Sequence, residues 1–368
     1  MSATKLKQGL HSTMASEAPV KYHIVLHRPI DLKDIAQKAE MAQSPRHGMG
    51  LLAQRLNAQV HQPQGLPLSL SDRLQAKLVN SPESWALARS LKSQVGAEDC
   101  IFCTSEAGGL QIAAVCGAQR DRPQLAVFVH NLDRPRGRLA LKLWQAAKRI
   151  DLFLACSQLQ IDFLRQYLPI SPTQVRFIWD HVDTQFFTPG LPTAAKKRPQ
   201  IVSVGLEQRD YRTLAAATAD LAVDVKISGF SRDAVALAQA MPDPLPANMS
   251  RQFYAWPELV QLYRDADVVV VSVRENRYAA GVQALMEAMA CQRPVVVTAT
   301  AGLSAYLNPE AVTCIQPGDV QQMRQAILHY LDHPDTALAK AQYGYQLAQE
   351  KHTMERYTED VAACLQSL

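Results

Sequence analysis

Val268-Val269-Val270-Val271-Ser272-Val273-Arg274-Glu275-Asn276-Arg277-Tyr278-Ala279-Ala280-Gly281-Val282-Gln283-Ala284-Leu285-Met286-Glu287-Ala288-Met289-Ala290-Cys291-Gln292-Arg293-Pro294-Val295-Val296-Val297-Thr298 reads as one repeating unit of an α/β fold. The valine run is apolar on both faces, which suits a strand of a parallel sheet covered by helices on each side. Its β-branched side chains favour extended backbone. A polar loop follows, then a helix opening near Gly281, and Pro294 stands between that helix and a second buried strand. Gly281 permits close backbone approach, and free amides at a helix start favour a phosphate. Glu287 lies about a turn and a half into an otherwise apolar helix. There it can accept hydrogen bonds from vicinal hydroxyls such as those of ribose, or serve as a structural acid near the helix start.

Working outward, the alternation continues on both sides. Before it come a strand Ile201 to Val204, a helix Tyr211 to Asp220, a strand Val223 to Ile227 and a helix Pro257 to Arg264. An earlier series has strands at Tyr22 to His27, Ala58 to Gln62, Cys100 to Thr104, Leu125 to Val129 and Leu152 to Cys156. Its helices are Met49 to Leu56, Asp72 to Val79, Ser84 to Val95, Ala107 to Val115 and Leu139 to Arg149. The Pro/Gly-punctuated stretch Thr188-Pro189-Gly190-Leu191-Pro192 separates the series. The expected architecture is α/β: two Rossmann-like lobes facing a central cleft, over residues 21–190 and 191–368, after a polar leader at 1–20 expected to be disordered. The last helix is expected to pack back toward the first lobe. Ligands of such sheets bind beyond the carboxyl ends of the strands.

Composition agrees with a soluble chain: 368 residues, 48% hydrophobic, 20% charged, net charge +4. No apolar stretch approaches the roughly 20 residues of a membrane helix, and the start lacks a signal-peptide core, so a cytoplasmic chain is expected. Seven scattered cysteines read as free thiols. Cys100 and Cys103 fall on one strand, where positions three apart face opposite ways, and no second pair completes a zinc site. Asp265-Ala266-Asp267 precedes its strand, on the wrong edge of the sheet for a ligand, so no catalytic metal is expected. Residues 1–190 hold 22 Lys and Arg against 15 Asp and Glu, and residues 191–368 hold 16 against 19. The positive excess therefore belongs to the first series. Its cluster Arg134-Pro135-Arg136-Gly137-Arg138, continued by Lys142, Lys148 and Arg149, suits an anionic acceptor, a membrane surface at the inner face, or an ordinary solvated helix. There is no nucleic-acid motif.

The segment ending Glu287-Ala288-Met289-Ala290-Cys291-Gln292-Arg293-Pro294-Val295-Val296 resembles the donor-binding signature of GT-B glycosyltransferases of family 4. The resemblance implies a glycosyltransferase with no permanently bound cofactor, which takes a nucleoside-diphosphate sugar, UDP-linked first and GDP-linked next. It implies sugar transfer with retention to a glycan, lipid or small-molecule hydroxyl in glycan, exopolysaccharide or glycolipid synthesis. Glu287 then corresponds to the glutamate that holds the ribose. The glutamate that normally stands eight residues earlier and meets the donor sugar is here Ala279, with Glu275 and Asn276 as nearby polar groups and Ala280, Gly281 and Val282 completing the loop. That departure supports a rival reading, a nucleotide-sugar-binding protein without transfer activity.

The opening of the second series, Val204-Gly205-Leu206-Glu207-Gln208-Arg209-Asp210-Tyr211-Arg212, fits the same family. Leu206 stands where an arginine is usual, so Arg209 is the candidate for the diphosphate and the catalytic electrostatics, with Arg212 second. An exposed loop charge paired with Asp210 is the plain alternative for Arg209. In the first series Arg46-His47-Gly48-Met49-Gly50 resembles the glycine-rich loop that reaches the donor phosphates. His130, at the end of a strand beside Asn131, matches a histidine the family places near the reacting sugar, although a structural histidine would look the same. A nicotinamide oxidoreductase would need a GxGxxG turn directly after a strand, which the chain lacks.

Overall fold

The computed structural model describes residues 20–77, 81–193, 196–230 and 240–368. The expected leader lies outside the described residues except for Val20, as does the end of the helix expected to reach Val79.

The first series folds as β1 (Lys21–Val25), α1 (Leu32–Glu40), α2 (Gly48–Leu56), β2 (Gln59–His61), α3 (Leu70–Ala76), α4 (Pro82–Lys92), β3 (Asp99–Cys103), α5 (Glu106–Val115), β4 (Gln124–Val129), α6 (Pro135–Leu143), α7 (Ala146–Arg149), β5 (Leu152–Ala155), α8 (Gln158–Tyr167) and β6 (Val175–Phe177). Its sheet runs β2-β1-β3-β4-β5-β6, all parallel. The second series folds as β7 (Gln200–Val204), α9 (Tyr211–Thr218), β8 (Asp224–Ser228), β9 (Met249–Arg251), α10 (Trp256–Asp265), β10 (Val268–Val271), α11 (Val282–Ala290), β11 (Val295–Thr298), β12 (Val312–Ile315), α12 (Val320–Asp332), α13 (Pro334–Lys351) and α14 (Met354–Gln366). Its sheet, also parallel, runs β12-β11-β10-β7-β8-β9.

Period-two alternation gives each sheet two cores. Ile101, Leu125, Val127 and Phe153 face α4 and α5, while Ile24, Phe102, Ala126 and Leu154 face the other way. In the second sheet Val269, Val271 and Val295 meet α10 and α11, and Val268, Val270 and Val296 meet α9 and α12. Cys100 and Cys103 accordingly sit in opposite cores, and burial pushes the Cys100 thiol up to about 12.

Tyr357, Val361, Ala362 and Leu365 of α14 join the first lobe's core beside Met49, Leu52 and Leu56 of α2. The crossing chain is held as well. Asp183 accepts from the backbone and guanidinium of Arg46, as close as 2.6 Å. The Tyr306 hydroxyl donates to Cys156 O at 2.9 Å and accepts from Asp180 N at 3.1 Å.

The single helix expected over Leu139 to Arg149 is instead two. Gln145 takes a left-handed φ of 50°, which separates α6 from α7, and Trp144 turns edge-on to Trp85 at 5.3 Å. α1, α8, β6, β9, β12, α12 and α13 have no counterpart in the sequence reading. α1 buries none of its residues, and β6 and β9 have three residues each, too few for a period to register.

Candidate active site

In the second sheet the strand order reverses between β7 and β10, which makes their carboxyl ends a topological switch point. The two loops that leave it are tied together. Asp210 N donates to Ser272 O at 3.0 Å, the Ser272 hydroxyl donates to Asp210 O at 2.7 Å, and Arg274 N donates to Gln208 O at 2.8 Å. Gln208 has a φ of 51° and Gly205 of 104°, so the chain folds tightly back on itself here.

That fold draws Arg209 inward. Its side chain is buried, with Nε donating to Val204 O at 2.8 Å and Nη1 to Glu207 O at 3.1 Å. A Cβ on Gly205 would stand 2.3 Å from Arg209 Nη2, and one on Gly281 would stand 3.3 Å from Nη1. Gly205 therefore makes room for the guanidinium, while Gly281, where an added Cβ would first meet Val271 Cγ1 at 2.9 Å, borders it with a φ of 95°. As N-cap of α11, Gly281 has no side chain with which to satisfy the first-turn amides. Cation and helix start together can hold a diphosphate.

Glu287 lies farther along α11, partly buried. The fully buried Tyr263 of α10 donates to its Oε2 at 2.7 Å. Burial pushes the Glu287 carboxyl up to about 7, against the opposing pull of the Tyr263 bond and the Arg209 charge. Tyr263, within a helix read from the sequence as plain scaffold, is a site residue that reading missed.

The loop between β10 and α11 sorts its polar residues differently from expectation. Asn276 is buried, donating to Arg274 O at 2.8 Å and accepting from Tyr278 N at 3.3 Å, so its amide braces the loop. Glu275 is exposed and accepts from Ala301 N at 3.4 Å. Ala280 and Val282 are buried, and Ala279 packs against cores of both lobes. Burial first, then the neighbouring Glu207, pushes the Tyr278 phenol up to about 12. Arg212 is exposed on α9, bonded to Met241 O at 2.9 Å, and is not joined to the Gly281 loop.

Across the cleft, Gly48 opens α2 under the His181 ring, whose Nε2 would stand 2.7 Å from a Cβ there, while Gly50 faces open space. His47 caps the same helix, its Nδ1 accepting from Met49 N at 3.2 Å. Burial first, then His181, Arg28 and His27, push His47 down to about 4. His130 ends β4 exposed, its backbone N donating to Glu106 Oε2 at 2.9 Å while Asn131 N donates to Oε1 at 3.0 Å. Glu106, the first residue of α5, thus shapes the turn that presents His130. The lobes meet where Arg277 Nε donates to Asp133 Oδ2 at 2.9 Å and the Arg134 guanidinium lies 5.9 Å over the Tyr278 ring.

Residues 199–333, which hold this switch point, match the family model described as glycosyl transferases group 1. That stretch of the second lobe is a glycosyl transferases group 1 domain. The fold around that domain is the two-lobed GT-B fold of glycosyltransferases. Sucrose-phosphate synthase from Thermosynechococcus elongatus is 16% identical with a TM-score of 0.70, over 94% of this chain and 98% of its own. HepE of Anabaena, solved in complex with UDP-glucose, is 15% identical with a TM-score of 0.68, over 94% and 100%. α,α-Trehalose 6-phosphate synthase from Burkholderia multivorans is 12% identical with a TM-score of 0.68, over 95% and 98%. No curated protein matches the sequence. At the amino end of β10, opposite the cleft edge of the glycosyl transferases group 1 domain, Asp265 accepts from Thr193 N and Asp267 from Lys196 Nζ at 2.8 Å. The Asp265-Ala266-Asp267 run thus anchors the crossing chain. Among the described residues no helix is long and apolar enough to cross a membrane.

Proposed function

We propose that the chain moves a sugar from a nucleoside-diphosphate sugar to an acceptor hydroxyl, with the donor on residues 191–368 and the acceptor on residues 21–190. The observation that carries this reading is the convergence of the Arg209 guanidinium, Gly205 and the Gly281 helix start at the switch point, with Glu287 farther along the same helix. Charge develops on the departing diphosphate, and a preorganised cation with backbone amides stabilises it there. Glu287 holds the ribose, and His130 stands at the reacting sugar. In this reading transfer is metal-independent and proceeds with retention on the front face, the leaving diphosphate helping to deprotonate the acceptor. UDP is the favoured nucleotide, GDP the next; HepE, a structure of the same fold, was solved with UDP-glucose. The acceptor is a glycan, lipid or small molecule, and the chain works in the cytoplasm or at the inner face of the membrane.

Release of UDP or GDP from a panel of sugar nucleotides, with and without acceptors, tests this reading. Release that Arg209→Ala lowers by orders of magnitude supports it; release unchanged under saturating donor removes Arg209 from the chemistry. A second reading, a sugar-nucleotide-binding protein without transfer, draws on Ala279 and on the engaged amide of Asn276, which leave Glu275 as the polar side chain of that loop still exposed. Tight binding without release across the panel favours that reading.

A further inference from the structure

Residues 134–150 contain six basic side chains, Arg134, Arg136, Arg138, Lys142, Lys148 and Arg149, and no acidic one. α6 turns a distinct face outward. Arg136, Leu139 and Leu143 follow at i, i+3 and i+7 and so form one stripe, with Arg138 and Lys142 beside it. Leu139 is 61% exposed and Leu143 54%, large values for leucines near each other on a single turn. The opposite face, Ala140 and Leu141, is buried in the first lobe's core. Arg138 fixes the helix in place, paired with Asp133 and lying 5.3 Å over the Phe163 ring and 5.6 Å over the Tyr167 ring of α8. Among the described residues, Arg136, Lys142 and Lys148 form no ion pair; Lys142 lies 5.1 Å over the Tyr167 ring at the edge of the stripe, and no acidic side chain neutralises any of the three.

We propose that α6 docks the first lobe on an anionic lipid surface, the two leucines entering the headgroup boundary and the flanking cations meeting lipid phosphates. An apolar stripe bracketed by basic side chains is the pattern of helices that lie in a membrane interface. Charge decides against a second copy of the chain, because a two-fold contact through this face would set its cations against the cations of the same face. The location gives the docking a purpose, and for this purpose alone it rests on the glycosyltransferase reading. α6 directly continues the loop from His130 to Arg134, whose Asp133 joins Arg277 of the donor loop at 2.9 Å. A lipid-held acceptor leaving the bilayer at α6 enters the cleft beside His130.

Co-sedimentation of the full chain with phosphatidylcholine vesicles, with and without phosphatidylglycerol, tests the proposal. The expected result is binding that needs phosphatidylglycerol, falls with added salt, and drops roughly tenfold or more in both Leu139→Ser/Leu143→Ser and Arg136→Gln/Lys142→Gln. All four positions are exposed, and an unchanged melting temperature verifies the fold of each variant. No sedimentation of the wild type, or full binding by either double variant, overturns the proposal. So does a dimer in lipid-free solution that the leucine variant abolishes. UDP titration in parallel separates the two readings: vesicle binding without UDP binding sinks the donor assignment and leaves the docking surface standing.

Discussion

The Tyr263 hydroxyl donates to the Glu287 carboxylate at 2.7 Å, in a site where burial has moved that carboxyl up to about 7. Ribose hydroxyls bond best to the ionised form, so nucleotide affinity should rise with pH through this midpoint. Calorimetry should find UDP bound roughly tenfold tighter at about pH 8 than at about pH 6. Tyr263→Phe removes a bond that favours the ionised form and should move the midpoint upward. Affinity that is flat with pH in both proteins would contradict the assignment. Stability runs the other way. The folded chain holds the Glu287 proton more tightly than the unfolded chain, so this group's contribution is complete below about 4.5 and is lost as pH rises toward about 7.

Gly281 carries both a left-handed φ and the close approach of Arg209. Gly281→Ala should cost about 1–3 kcal/mol of stability through backbone strain. It should also weaken UDP binding by at least roughly tenfold, because the new Cβ, 2.9 Å from Val271 Cγ1 and 3.3 Å from Arg209 Nη1, shifts the helix start and its first-turn amides. Gly50→Ala, where a Cβ meets open space, serves as the comparison: it should leave the melting temperature nearly unchanged. Equal losses of stability in the two variants would show that the strain argument is wrong.

Glu106 receives the backbone amides of His130 and Asn131 on its two oxygens. Glu106→Gln keeps the shape but offers one carbonyl oxygen and an NH2 where two amides need acceptors. Turnover should fall by roughly tenfold, the scale of a lost charge-assisted bond, while UDP affinity, set on the other lobe, holds. A loss confined to UDP binding would place the effect elsewhere.

Much of this frame was legible in the sequence because buried parallel strands announce themselves. Val268 to Val271 and Val295 to Val297 have no polar face, and the Gly-and-Pro punctuation around α11 marks both its ends. The site was legible as positions but not as partners. Nothing in the spacing of Asn276 says that its amide closes on Arg274 O and Tyr278 N, because that follows from the loop's own folding. Tyr263 and Glu287 are separated by β10 and the donor loop, so their bond depends on how α10 and α11 pack. Arg212 stood second to Arg209 as a candidate for the diphosphate. Two residues past the N-cap Asp210, it turns outward to Met241 O, while the left-handed turn at Gln208 turns Arg209 inward.

Tyr306 bridges the lobes through one hydroxyl, giving to Cys156 O and receiving from Asp180 N. Tyr306→Phe leaves both of these backbone groups without that partner and should cost about 1–3 kcal/mol. Thermal unfolding should show the loss as a lower melting temperature. An unchanged melting temperature would mean that the crossing chain is held by Arg46 and Asp183 without this bridge.

The most direct test of the central claim is a calorimetric titration of UDP into wild type, Arg209→Lys and Arg209→Ala, each first verified as folded by its melting curve. The account predicts that UDP binds the wild type, binds Arg209→Lys more weakly because the two-pronged donor is gone, and binds Arg209→Ala weakest, by roughly a hundredfold. Equal affinity in all three, or no binding to the wild type at millimolar UDP, would contradict it.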